Sequence, residues 1–140
     1  MRTVYRLIFS LGYLLLLAGC EQPKLCIPEG QGCRVQLDDG YLQLEVSPHT
    51  IPLTPLRITV STNLNQLHPQ QITITGVDMY MGWQSATLVH NGTDYIGEVT
   101  LPICTQQKMQ WRWRIRSERN GQTLEEDFFI QMETGKPTHH

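Results

Sequence analysis

The sequence predicts an all-β protein, and three observations carry that prediction. Apolar residues recur with a period of two from about residue 33 onward, turn signals separate these runs, and no window after residue 20 has the 3.6-residue period of a helix. In the clearest run, "MQWRWRIR", Met109, Trp111, Trp113 and Ile115 alternate with polar residues. A shift of this strand by one residue would bury three arginines, so its register is strongly fixed.

The other strands are expected between turns of recognisable composition. "DDG" at 38–40, "NGT" at 91–93 and "NG" at 120–121 are hairpin turn signals, whereas 47–55 has three prolines and is expected to be a loop or a broken edge. Short strands at this spacing predict an antiparallel, immunoglobulin-like β-sandwich of about seven strands. The segments with strand patterns are 33–37, 41–46, 56–61, 71–77, 85–90, 94–101, 109–116 and 123–132, and 63–70 is read as a connection.

The N-terminus has the layout of a secretory signal peptide. "MRTVYR" carries Arg2 and Arg6 and no acid, and the apolar run after it is too short to span a bilayer of about 30 Å. The run ends in "LLAGC", which resembles the lipobox of bacterial lipoproteins. That resemblance implies cleavage before Cys20, a diacylglycerol on its sulfur and an acylated amino group, with palmitate among the expected chains. The alternative is a plain signal peptide, or an uncleaved anchor, with Cys20 there by chance.

These features divide the chain into a signal peptide (1–19), a lipidated tether (20–32), a β-sandwich domain (33–133) and a flexible tail (134–140). The expected location is the periplasmic face of a bacterial membrane. Residue 21 is Glu and not Asp, which by resemblance to enterobacterial sorting rules favours the outer membrane. Without the two arginines of the signal peptide the net charge is −4, from 9 basic and 13 acidic residues. Such a balance lacks the basic face that nucleic acids require.

Three cysteines follow the lipidation site: Cys26, Cys33 and Cys104. An oxidising periplasm favours a disulfide, and three thiols leave one over. "CIPEGQGC" joins Cys26 to Cys33 by a short loop that is entropically cheap to close, so this pair is favoured. A bridge from Cys104 to either of them is the alternative. The remaining thiol is then either buried and inert or a functional ligand.

The stretch "GVDMYMGWQ" raises the question of a metal site. On an extended strand Met79 and Met81 would share one face, about 6.6 Å apart. Cu(I) prefers thioether and thiolate ligands. Cys104 and Met109 flank one connection, so four sulfur groups would converge if that connection lay near the first pair, with Trp83 stacked over a bound Cu(I).

Core packing is the competing interpretation, and the preferred one for the methionine pair. Methionine fills irregular gaps and packs well on aromatic rings. The histidines do not gather around this stretch in the sequence, since His49 and His68 adjoin prolines and His90 precedes a turn. A surface that binds a protein partner is the third interpretation.

A longer stretch, "GVDMYMGWQSATLVHNGTDYIGEVTLPICTQQKMQWRWRI", is similar to the YtkA-like and FixH-like periplasmic domains. The similarity covers residues 55–132. It implies an immunoglobulin-like sandwich and, for several members, a link to copper delivery or cytochrome oxidase assembly. Beyond the methionine segment, the matching residues are Tyr95, Gly97, Leu101, Pro102 and Trp111.

The sequence departs from that family pattern in two regions. Trp83 and Gln84 stand where a histidine usually follows the methionine segment, and Cys104 replaces a small or apolar residue. Taken with the lipobox and the family resemblance, the expected function is a non-enzymatic, lipid-anchored binding or assembly module, with Cu(I) as its candidate cofactor. The alternatives are a structural or protein-interaction lipoprotein of the envelope without a metal and, less favoured, a thiol redox protein. No serine lies in a nucleophile-elbow motif and no CxxC motif occurs, so no catalytic residue is predicted.

Overall fold

A computed structural model describes residues 25–26, 32–47, 54–102 and 108–133. Cys20, Cys104, the predicted tail and most of the predicted tether lie outside these ranges. The described residues form ten strands, two of them only two residues long: β1 (Leu25–Cys26), β2 (Cys33–Leu37), β3 (Gly40–Ser47), β4 (Leu56–Thr62), β5 (Leu67–Gly76), β6 (Trp83–Thr87), β7 (Val89–His90), β8 (Tyr95–Val99), β9 (Lys108–Arg119) and β10 (Gln122–Glu133).

The strands form two five-stranded sheets. The first has the order β1-β10-β9-β5-β6 and the second the order β2-β3-β4-β8-β7. Every neighbouring pair is antiparallel except β1 with β10, which is parallel. The neighbours β3-β4-β8-β7 follow the A-B-E-D order of an immunoglobulin domain, and β5-β9-β10 follow its C-F-G order. The predicted all-β, immunoglobulin-like sandwich is confirmed, although with ten described strands instead of about seven.

The facing sides of the two sheets bury one apolar core. In β9 the side chains of Met109, Trp111, Trp113 and Ile115 are buried, as the alternation predicts. Burial of one large apolar side chain contributes about 1.5–3 kcal/mol, so a one-residue slip of this strand would cost several times that amount. The opposite sheet supplies the facing side chains Leu42, Leu44, Val46, Leu56, Ile58 and Val60.

Strand β5 begins earlier than the sequence pattern indicates. Residues 63–70 were predicted as a connection, but Leu67, His68 and Pro69 pair with β9. Pro69, which has no N–H to donate, lies within this paired segment. The register shifts between Pro69 and Gln71, opposite Ser117, and such a bulge lets the strand continue past a residue that cannot complete the ladder.

The segment 85–90 does not form one strand, as was predicted, but contributes to both sheets. Strand β6 pairs with β5 in the first sheet, and β7 pairs with β8 in the second. Leu88 lies at the crossing point, where its N–H donates to the carbonyl of Gln70 at 2.8 Å. Ala86 and Leu88 are both buried, so the alternation continues through the switch and does not reveal it.

Cys26 and Cys33 lie at disulfide distance, with their Cα atoms 5.7 Å apart. This is the pair that the short loop favours. Cys26 belongs to β1, at one edge of the first sheet, and Cys33 belongs to β2, at one edge of the second. The bridge therefore joins the two sheets along one side, and β1 lies inside the segment that was assigned to the tether.

Candidate functional site

The methionine segment is a loop at one end of the sandwich. Strand β5 ends at Gly76, so the prediction that Met79 and Met81 continue a strand is wrong. The β5–β9 ladder ends here because the carboxylate of Asp78, and not a backbone carbonyl, accepts the next backbone N–H of β9. The N–H of Val77 still donates to the carbonyl of Gln110 at 2.9 Å, but the N–H of Gln110 donates to Oδ2 of Asp78 at 2.7 Å.

The three methionines near this loop have three different environments. Met109 is wholly buried in the core, Met81 is half-buried against it, and Met79 is exposed. A Cβ at Gly76 would overlap both the terminal methyl of Met109 and the backbone oxygen of Met79, so the loop packs closely on the start of β9. Core packing, the interpretation preferred for the Met79–Met81 pair, therefore holds in part for Met81 and is wrong for the exposed Met79. A soft-metal site would need several sulfurs at one point.

The apex of the same loop exposes large apolar side chains. The exposed fraction is 47% for Val77, 82% for Tyr80 and 64% for Trp83, and Met79 adds a further 37%. Trp83 opens β6, the edge strand of the first sheet, and pairs with Thr75. These four residues, Val77, Met79, Tyr80 and Trp83, are called the apolar tip below.

A cavity of about 450 Å³ opens near the opposite end of the sandwich. Its volume lies within the range of small-molecule sites, roughly 300–1,000 Å³. Its lining is mixed, with Leu64 and Leu67 as apolar residues among several polar groups. Those polar groups include Asn65, His68, His90, Thr93 and Tyr95.

Tyr95 organises the polar side of this cavity. Its hydroxyl donates to the carbonyl of Leu67 at 3.4 Å and lies 3.1 Å from Nδ1 of His68. The tautomer of His68 determines whether the imidazole or the phenol donates in this contact. The ring of His90 lies 4.7 Å from the ring of Tyr95. Burial raises the pKa of the Tyr95 hydroxyl, which therefore stays protonated near neutral pH.

This cluster was not predicted from the sequence. His68 and His90 lie far apart in the chain, one beside a proline and one before a turn, and Tyr95 entered only through the family resemblance. The three side chains meet because β5 crosses to one sheet and the β7–β8 hairpin belongs to the other. A signal was present in "NGTDY": Oδ1 of Asn91 accepts the N–H groups of Thr93 and Asp94, which closes the turn beside the cavity.

The proposed ligand and lipidation residues are only partly within the described ranges. Cys20 and Cys104 lie outside them, so the convergence of Cys104 with the methionines stays a prediction. Within residues 25–26, 32–47, 54–102 and 108–133, no three His, Cys, Asp or Glu side chains form a group that could hold a metal ion. The same ranges contain no helix long and apolar enough to cross a bilayer.

No family model, curated protein or solved structure matches this chain. The comparisons thus assign no family, and the resemblance to the periplasmic domains named above stays an expectation from the sequence.

Proposed function

We propose that this protein is a lipid-anchored, non-catalytic binding module of the bacterial envelope. The anchor is Cys20, and the ligand-binding part is the cavity around Tyr95. The observation that carries the binding role is the arrangement of that cavity: a phenol fixes one imidazole through a hydrogen bond and packs against a second, with Leu64 and Leu67 in the same lining. A concave site of this volume with a few converging polar groups is the first candidate for small-molecule binding.

The anchoring role is supported by the sequence and by where the sandwich begins. Leu25 already pairs with Phe129, only five residues after Cys20. A chain of five residues reaches at most about 17 Å, so a lipid on Cys20 would hold the domain close to the bilayer surface. Two or more acyl chains are needed for stable attachment, and a lipoprotein amino terminus supplies them.

The test of the anchor is a Cys20→Ala variant of the full chain. The chain with Cys20 in place is expected to incorporate labelled palmitate and to float with membranes, and the Cys20→Ala variant is expected to do neither. Cys104→Ser is the matched control, because it removes a thiol without touching the lipobox. Membrane-bound Cys20→Ala protein would contradict the proposal.

The test of the cavity is a ligand screen read by nuclear magnetic resonance. Binding of a small polar ligand is expected to shift the imidazole signals of His68 and His90 in the full chain. Tyr95→Phe removes the hydroxyl while keeping the ring, and should weaken any such ligand. A ligand whose signals and affinity are indifferent to Tyr95→Phe binds elsewhere and contradicts the assignment.

A soft-metal role is the second candidate function. The observation in its favour is that Met109 and the backbone of Met79 both crowd Gly76, so two of the predicted ligands come from neighbouring segments. Titration with Cu(I) under a competing chelator tests it. Binding by the full chain must be tighter than binding by a Met79→Leu/Met81→Leu variant. If the full chain and the variant bind Cu(I) with equal affinity, the soft-metal role is rejected and a protein-interaction module without a metal remains as the alternative.

A further inference from the structure

The cavity around Tyr95 is bordered by two turns that their own hydrogen bonds close. In the β7–β8 turn the N–H of Asn91 donates to the carbonyl of Asp94 at 2.9 Å. In the connection from β4 to β5 the N–H of Leu67 donates to the carbonyl of Leu64 at 3.1 Å. The walls are therefore formed before a ligand arrives, and pre-formed walls lower the entropic cost of binding.

The lining of this cavity has no fixed charge. Among the described residues that form it, none carries a carboxylate, an ammonium or a guanidinium group. Glu118, opposite His68 on β9, accepts a hydrogen bond from Gln70 at 2.9 Å. Arg119, the next residue, donates its hydrogen bonds to Asp39. A charged ligand that gave up its water here would therefore find no fixed opposite charge, which is costly.

The polar groups that stay available in the cavity are neutral ones. Within the described ranges, the side chains of Asn65, His90 and Thr93 have no hydrogen-bond partner. The hydroxyl of Thr62, by contrast, already donates to the carbonyl of Tyr41 at 2.7 Å. An amide, an imidazole and a hydroxyl together offer both donors and acceptors to a ligand.

We propose that the cavity binds an uncharged sugar, either free or as the headgroup of a glycolipid. This ligand class rests on the proposed function, in which the cavity is a binding site. A sugar has hydroxyl groups around its rim, which pair with neutral donors and acceptors, and C–H groups on its faces. The faces would pack on Leu64, Leu67 and the ring of Tyr95. The volume of about 450 Å³ admits a monosaccharide or a disaccharide.

A glycolipid is a possible source because the chain enters the sandwich from the cavity end. Strand β1 is parallel to β10, which runs from the turn after Arg119 towards the loop that bears the apolar tip. The lining residue Leu67 pairs with Arg119, so the cavity lies at the end from which β1 enters. A lipid on Cys20 would hold this end of the domain near the bilayer, where a sugar headgroup is within reach.

The experiment titrates the full chain with matched sugars and follows the imidazole resonances of His68 and His90. Glucose and galactose are the neutral probes, and glucuronate and galacturonate place a negative charge on the same rings. The titrations are run at about pH 8, where a free histidine side chain is uncharged. At least one neutral sugar should shift both resonances, and its uronate should bind about tenfold more weakly. A uronate that binds as tightly as its neutral sugar would overturn the proposal.

Two variants test the contacts without disturbing the fold, since Asn65 and Thr93 are exposed. Asn65→Ala and Thr93→Ala should each weaken the neutral sugar about two- to tenfold, because a hydrogen bond is lost. Thr73→Ala, on β5 but outside the lining, is the matched control and should leave the affinity unchanged. Unchanged affinity in both cavity variants would count against the proposal.

Lipid nanodiscs with and without digalactosyl diacylglycerol distinguish the two sources of the sugar. A headgroup ligand should shift the two imidazole resonances of the lipidated chain only in the galactolipid discs, whereas a free sugar should act in both. If neither sugar source shifts them but the uncharged nucleoside uridine does, the ligand class is wrong and the binding cavity stands. If sugars, uridine and the wider ligand screen all leave the resonances unchanged, the proposed function fails as well.

Discussion

Arg119, at the end of β9, donates two hydrogen bonds to the carboxylate of Asp39 in the turn between β2 and β3. A side chain of the first sheet thereby fastens a turn of the second. The guanidinium holds the pKa of Asp39 below its ordinary value, first through these hydrogen bonds and then through charge. A depressed carboxyl pKa contributes stability above the unfolded pKa of about 3.9, and this contribution is lost as the pH falls through the folded pKa.

Asp39→Asn should therefore lower the urea midpoint at pH 7 and flatten the loss of stability on acidification. Asp38→Asn is the control, because it removes the same charge from the same turn but leaves both hydrogen bonds of Asp39. Equal shifts in the two variants would mean that net charge, and not the pairing with Arg119, sets the effect.

The contribution of Glu126 to the pH dependence of stability should have the opposite sign to that of Asp39. Its partial burial raises the pKa of the carboxyl, with a smaller contribution from the charge of Asp127. The ionised form is thus disfavoured in the fold, and stability is gained as the pH falls through the raised pKa. We expect Glu126→Gln to raise the free energy of unfolding at pH 7 by up to about 1 kcal/mol, a gain that shrinks towards pH 4. Glu125→Gln, which removes an ion pair with Arg114 at 3.5 Å, should give no such gain.

The bridge between Cys26 and Cys33 closes a short loop and joins two sheet edges. Replacement of both residues by serine should lower the free energy of unfolding by about 2 kcal/mol in denaturant titrations. In the unsubstituted lipidated chain, unfolded without reductant, any one bridge leaves one free thiol, and labelling followed by peptide mapping should locate it at Cys104. A label on Cys26 or Cys33 instead would reject this pairing in favour of an alternative bridge, and three labelled thiols would reject every bridge.

Truncation to alanine should affect the stability of the fold much more at Met109 than at Met79. Met109→Ala opens a cavity in the core and is expected to cost about 2–5 kcal/mol. Met79→Ala, at an exposed loop position, should change stability by less than about 0.5 kcal/mol. Equilibrium unfolding of the two variants side by side measures the difference. A large loss for Met79→Ala would show that the loop is held from its apex and not from its base.

Ser117 is buried on the inner row of β9, and its hydroxyl has no hydrogen-bond partner among the described residues. An unsatisfied buried group costs about 1–3 kcal/mol, so Ser117→Ala should leave stability unchanged or raise it by about 1 kcal/mol. Ser85→Ala, at an exposed position of β6, is the matched control and should have no effect. A clear loss of stability in Ser117→Ala alone would indicate that the hydroxyl is satisfied in solution.

The parts of the fold that could be predicted are those in which local pattern and burial agree. The alternation around Trp111 and Trp113 fixes a register because large side chains would otherwise be exposed. The loop at 77–82 resisted prediction because its end depends on Asp78 taking a hydrogen bond from Gln110, a residue far away in the sequence. Burial and contact with β9 then set the depth of each methionine, which spacing alone cannot report.

The cavity could not be predicted from the sequence for a related reason. His68 and His90 are unremarkable in the sequence, and only the packing of one sheet on the other brings both to Tyr95. A strand that crosses between sheets, as at Leu88, also keeps the same alternation on either side of the crossing. Period-two patterns identify faces, but they do not identify the sheet to which a face belongs.

The crossing at Leu88 has a consequence for how the molecule opens. Residues 83–90 form an outer strand of each sheet within a single short segment, through the local hairpins β5–β6 and β7–β8. Fraying of that segment would remove a strand from both sheets at once, so amide hydrogens in β6 and β7 are expected to exchange with solvent at matched rates. Both hairpins also connect neighbours in sequence, which places this corner among the contacts that can form early in folding.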